Sequence, residues 1–112
     1  MPFINTNISK KLNDSEKTML KTELGKAISL FPGKSENWLM CAIEDGCEMY
    51  FQGEKGECAF GEVKLFGSVD KSSADKFTAA YCEIMSKLGI PSGRVYVRYE
   101  GGSDWGWNGA NF

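Results

Sequence analysis

Pro2 is the residue whose chemistry depends on its place in the chain rather than on its side chain. Trimming of Met1 makes Pro2 the first residue and turns its nitrogen into a free secondary amine. An α-amine has an ordinary pKa of about 7.7–8.0, and apolar or cationic surroundings lower it, so such a nitrogen is a base or a nucleophile near neutral pH. The sequence has no histidine, so no side chain competes with it for that task. The plainer reading is a Met-Pro start without function, and the rest of the chain has to decide between the two. Other sources of chemistry are thin. Cysteines at 41, 47, 58 and 82 form no Cys-x-x-Cys pair and have no histidine to complete a zinc site, which marks them as buried or incidental thiols. Gly33-Lys34-Ser35 is not a phosphate loop, because Ile28 stands where that motif requires its first glycine.

The elements that must position Pro2 are legible from periodicity. Residues 3 to 8 alternate Ile4, Thr6 and Ile8 against Asn5 and Asn7, the pattern of a half-buried strand that starts beside Pro2. Asn13 with Glu16 three residues on predicts a capping box, followed by a helix whose apolar face (Met19, Leu20, Leu24, Ala27, Ile28, Phe31) runs to Pro32-Gly33. The apolar run Trp38 to Ile43 predicts a second strand, buried on both faces. Met49 to Phe51 predicts a short extra strand, with a turn at Gly53 to Gly56. Cys58 to Phe66 reads as a strand and Ser72-x-x-Asp75 as the cap of a second helix, with Phe77, Tyr81, Ile84, Met85 and Leu88 on its apolar face. Arg94 to Glu100 alternates as a last strand.

Strand, helix, strand thus occurs twice at a constant offset: Ser15 and Ser72, Leu24 and Tyr81, Trp38 and Val95 are each 57 apart. The expected fold is α/β, two β-α-β repeats joined in one four-stranded mixed sheet with two helices on one face, in a single domain spanning residues 1–112. The uncovered face is then an apolar patch in need of a partner, and self-association is its simplest cover. With 42% apolar and 25% charged residues and a net charge of -2, the composition is that of a globular domain without the basic face of a nucleic-acid or anionic-membrane binder. No run is long enough to cross a bilayer and no signal peptide is evident, so the expected location is cytoplasmic, with export by another route left open.

The chain resembles the macrophage migration inhibitory factor family of the tautomerase superfamily. The resemblance rests on Met1-Pro2-Phe3, Gly33-Lys34 after the first helix, Cys58-Ala59 opening a strand, Arg-Val-Tyr-Val at 94 to 97, and Trp-Gly-Trp-Asn-Gly-Ala-Asn-Phe at 105 to 112. It implies a homotrimer with sites between subunits, no cofactor, and keto-enol tautomerase activity on phenylpyruvate-like and dopachrome-like substrates with the terminal proline as base. It also implies that Lys34 attracts the substrate carboxylate, that the Phe66 backbone faces the substrate, that Tyr96 comes from the neighbouring subunit, and that Trp38, Trp105, Trp107 and Phe112 line the aromatic part of the pocket. Three departures stand out: Gly61 in place of a second motif cysteine, Arg98 in place of a neutral pocket-edge residue, and Trp38 in place of a frequent tyrosine.

These residue types suit the tautomerisation of an aromatic 2-oxo acid. Pro2 removes a proton beside the carbonyl, Lys34 and Arg98 hold negative charge, and the aromatic residues grip the ring. Plainer roles remain for each: a solvated loop lysine, an ordinary strand tyrosine, an arginine paired with Glu100 or Asp104, and tail aromatics buried by an Asn108-Gly109 turn. Two further functions stay open, a cytokine-like protein that engages a host receptor through its surface with a vestigial pocket, and a hydratase-like enzyme with Arg98 as clamp. The latter lacks an assignable carboxylate to activate water.

Overall fold

Alternation at the N-terminus makes the central strand. In the computed structural model, which describes residues 1–112, β1 (Pro2–Ile8) buries Pro2, Ile4, Thr6 and Ile8 and turns Phe3, Asn5 and Asn7 to the other face. The capping box forms as expected: Asn13 Oδ1 accepts from the Glu16 N–H at 2.8 Å, and Glu16 Oε1 accepts from the Asn13 N–H at 3.1 Å. Helix α1 (Asp14–Ala27) follows, then a 3-10 turn over Ile28–Leu30, so the apolar stripe outlasts the helix and delivers Phe31 to the core.

β2 (Met40–Glu44) lies parallel to β1, and β5 (Ala59–Phe66) runs antiparallel on β1's other side. Two short strands, β3 (Tyr50–Phe51) and β4 (Glu54–Lys55), form a hairpin between them. Helix α2 (Lys71–Lys87) leads to β6 (Val95–Gly102), which is parallel to β5, giving the strand order β2-β1-β5-β6. Tail strands β7 (Gly106–Trp107) and β8 (Ala110–Asn111) close a second hairpin. The repeat survives in three dimensions: Pro2 and Ala59, and Asp14 and Lys71, which open corresponding elements, are each 57 apart. Ile4, Ile8, Leu20, Leu24, Phe77 and Met85 belong to one buried cluster shared by β1, β5 and the helices. Each such side chain contributes about 1.5–3 kcal/mol of burial, before the entropy of ordering is subtracted.

Four local expectations are corrected. The second strand starts at Met40, not Trp38, because Glu36–Trp38 forms a 3-10 turn in which the Leu39 N–H donates to Glu36 O at 3.1 Å. That strand is also not buried on both faces: it is a sheet edge, and Met40 is 68% exposed. The cap of α2 is Asp70 rather than Ser72, since Asp70 Oδ2 accepts from both the N–H and the hydroxyl of Ser73, at 2.9 and 2.7 Å. The β3–β4 turn sits one step earlier than expected, on Gln52-Gly53 at φ 55° and 80°, the positive pair that a two-residue hairpin demands.

The uncovered face is mixed rather than an apolar patch. Phe3, Met40 and Phe60 share it with Asn5, Glu62 and Arg98, because the charged residues of β5 and β6 fall on the alternate positions that face away from the helices.

Gly61 has a packing reason. It lies buried under Tyr81, whose hydroxyl shares a 2.8 Å hydrogen bond with Thr6, and a Cβ on Gly61 would stand 2.5 Å from Tyr81 Cζ and 2.6 Å from its oxygen. Gly61→Cys is expected to destabilise the protein by roughly 1–3 kcal/mol, read as a lower urea midpoint, rather than to restore a working Cys-x-x-Cys motif. An unchanged midpoint would show that the Tyr81 contact yields freely.

Candidate active site

Pro2 opens the central strand, so the chain's beginning is held on two sides rather than left to fray. Around it lies a cleft of about 510 Å³, whose walls include Met1, Phe3, Trp38, Lys64, Trp105 and Trp107. The 3-10 turn before β2 swings Trp38 out of the sheet and into this wall. There its ring meets Trp107 edge-on, with centroids 5.3 Å apart and planes at 86°. Asn108-Gly109, at φ 53° and 88°, is the two-residue turn that folds the tail back to deliver Trp107. The turn forms as expected, yet it does not bury the tail: Trp107 is 55% and Phe112 50% exposed.

A second cluster adjoins the cleft through Met1. The Phe66 N–H donates to Met1 O at 3.1 Å, and Lys34 Nζ donates to Phe66 O at 2.9 Å while lying 5.9 Å from the centre of the Phe66 ring. Phe112 stacks obliquely on Phe66 at 5.1 Å, and its N–H donates to Trp105 O at 3.1 Å. Lys34 is therefore tied to the backbone beside the chain terminus rather than free in a loop. The Met1 α-amine is held below its ordinary value, first by burial and second by the charge of Lys34. The Pro2 nitrogen follows one residue later and is a tertiary amide while Met1 is attached.

Tyr96 and Arg98 do not join this assembly within one chain. The register pairs Pro2 with Leu65 and Leu65 with Gly101, so the β6 residue level with Pro2 is Gly101, and Tyr96 lies five residues back along the strand. That separation is about 17 Å at the usual rise of a strand. Tyr96 instead meets Phe51 edge-on at 5.3 Å, and Phe51 carries the Arg94 guanidinium 5.3 Å from its ring centre. Arg98 stands beside Glu62 in the register, but it makes no ion pair with Glu62, Glu100 or Asp104. Lys64 is the charged residue of the cleft that sequence reasoning passed over. Strand alternation puts it on the same face as Phe66, the signal that could have exposed it.

The family description macrophage migration inhibitory factor matches residues 1–112. The chain belongs to that family. Among solved structures, the Leishmania major protein MIF2 is 33% identical with a TM-score of 0.93, over 100% of this chain and 97% of that one. The macrophage migration inhibitory factor homologue of Prochlorococcus marinus is 28% identical with a TM-score of 0.82, over 98% of each chain. A homologue from Entamoeba histolytica, 21% identical with a TM-score of 0.88 over 99% of this chain and 98% of that one, shares the fold. No curated protein matches the chain. Membership supports a role of the migration-inhibitory-factor or tautomerase kind.

Lys34→Met should raise the pKa of the α-amine in the chain that retains Met1, since it removes one of the two causes that depress it. Burial remains, so the value should stay below the ordinary 8.0. The pH dependence of acylation at the terminus measures it, and an unmoved titration would mean that Lys34's charge does not reach the amine.

Proposed function

We propose that this protein is a keto-enol tautomerase of phenylpyruvate-like and dopachrome-like substrates, with the nitrogen of Pro2, exposed by removal of Met1, as its general base. The observation that carries the reading is the position of Pro2 at the head of the central strand and in the wall of an aromatic cleft, with Lys34 held on the Phe66 carbonyl next to Met1. Pro2 is buried, and burial is one of the general causes that lower the pKa of an amine. In its unprotonated form the secondary amine accepts the proton beside the substrate carbonyl and later returns it to a different atom.

Removal of Met1 also frees the Phe66 N–H, whose present acceptor is Met1 O. That N–H and the Lys34 ammonium, which is held on the carbonyl of the same residue, are then the donors for a carboxylate or an enolate oxygen. Trp38 and Trp107 supply the edge-to-face walls for the ring. Phe112 backs Phe66.

The same reading assigns Tyr96 and Arg98 to the site of an adjacent subunit in a homotrimer. Both are exposed on an edge strand, about a strand's length from their own Pro2, and the face they share carries unpaired charge of both signs. A second copy accounts for both facts, because it gains the residues its own chain cannot supply.

Pro2→Gly should lower kcat/KM for phenylpyruvate by roughly 10²–10⁴-fold, the usual worth of a positioned base, while sedimentation shows the oligomer intact. Intact mass of the active enzyme should show Met1 absent, and full turnover by a chain that keeps Met1 sinks the assignment. Mixed assemblies of Pro2→Gly and Tyr96→Ala chains should regain part of the activity, since some interfaces then pair an intact Pro2 with an intact Tyr96. No recovery on mixing would mean that Tyr96 does not complete the site of a neighbouring subunit.

A further inference from the structure

Lys64 is the cation in the wall of the cleft itself, and none of the chain's ion pairs or side-chain hydrogen bonds uses it. It stands beside Phe3 of β1 in the register, one residue before Leu65, the partner of Pro2. Alternation therefore sets its side chain on the opposite face of β5 from Leu65. Lys34 approaches the terminus by another route, through the carbonyl of Phe66. Two ammonium groups thus bracket the start of β1, one at the Phe66 end and one on the cleft wall beside Trp105.

Past Lys64 and Trp105 the wall continues into an adjoining cavity of about 290 Å³ that Glu100 and Asp104 also line. Glu100 is Lys64's register neighbour on β6, yet no carboxylate pairs with Lys64. An anionic group entering from the apolar side is attracted to Lys64 and repelled by the two carboxylates beyond it, which sets how far it can travel. A ligand with a bare ring covers Lys64 with apolar surface and gives the ammonium no partner, a cost that a carboxylate removes.

We infer that Lys64 is a specificity-determining residue that binds a second acidic group on the substrate, so that the cleft favours aromatic 2-oxo acids with a carboxylate at the ring end. This deepens the tautomerase reading and rests on it. Lys34 and the Phe66 N–H serve the 2-oxo acid end, and Lys64 serves the far end.

The test compares phenylpyruvate with 4-carboxyphenylpyruvate on the chain that starts at Pro2, in the wild type, Lys64→Met and Lys64→Glu. The wild type should prefer the doubly acidic substrate. Lys64→Met should reduce that preference roughly tenfold, mainly through KM, the scale of one charge-assisted hydrogen bond, and Lys64→Glu should reverse it. Tryptophan fluorescence titrated with cinnamate and 4-carboxycinnamate measures the same preference without turnover. Failure of the wild type to turn over either 2-oxo acid overturns the tautomerase reading, while the binding ratio still judges Lys64. A wild type without preference, or an equal loss for both ligands in Lys64→Met, overturns the role of Lys64.

Discussion

The pairing of β1 on both of its edges is the constraint on which the rest depends. Chain ends usually fray, and a terminal residue is a poor place for precise chemistry. Here β1 is hydrogen-bonded to β2 on one side and β5 on the other, so the second residue of the chain is buried and placed as firmly as a core residue. Proline costs nothing at this point, because the first residue of a strand can forgo an N–H. The Phe66 N–H to Met1 O bond carries the same order one residue further out.

From that strand the two faces of the sheet take different tasks. The inner face holds Ile4, Ile8, Val63 and Leu65 against the helices, and its polar groups are satisfied there: Thr6 by Tyr81 at 2.8 Å, and the Tyr99 hydroxyl by Thr78 and the Ala74 carbonyl at 2.6 and 3.0 Å. Burial pushes the Tyr81 hydroxyl far up, so it remains a neutral hydrogen-bonding group throughout the working range. The close fit of Tyr81 on Gly61 gives that glycine a packing reason of its own. The outer face is half polar and contributes Phe3, Met40 and Lys64 to the cleft at the Pro2 end. Tyr96 stands at its other end.

Electrostatics in the site follow from distance and tethering rather than from the number of cations. Lys34 matters because a carbonyl fixes it beside the terminus, where its charge adds to burial in depressing the amine. Arg98 carries the same charge but stands mid-strand on the outer face, too far along to act on Pro2 of its own chain. Lys64 lies in the cleft wall without an ionic partner, so its charge remains available to a ligand.

Periodicity along the chain was enough to read the main elements, their order and the 57-residue repeat, because period-2 and helical spacing of apolar residues follow from backbone geometry within a few residues. The sequence also marked the tail turn at Asn108-Gly109, since only certain residues accept positive φ. Local signals misled where two of them competed: an apolar run at Trp38 concealed a 3-10 turn, and Ser72 resembled a cap that Asp70 supplies. Strand order, the exposure of β2 and the mixed character of the outer face belonged to the tertiary structure alone. These depend on which strands become neighbours, and the pairing energy lies between residues as far apart as Pro2 and Leu65. For the same reason only the folded chain put Lys64 in the cleft and left Tyr96 and Arg98 outside it: register, not spacing, decides which side chains meet.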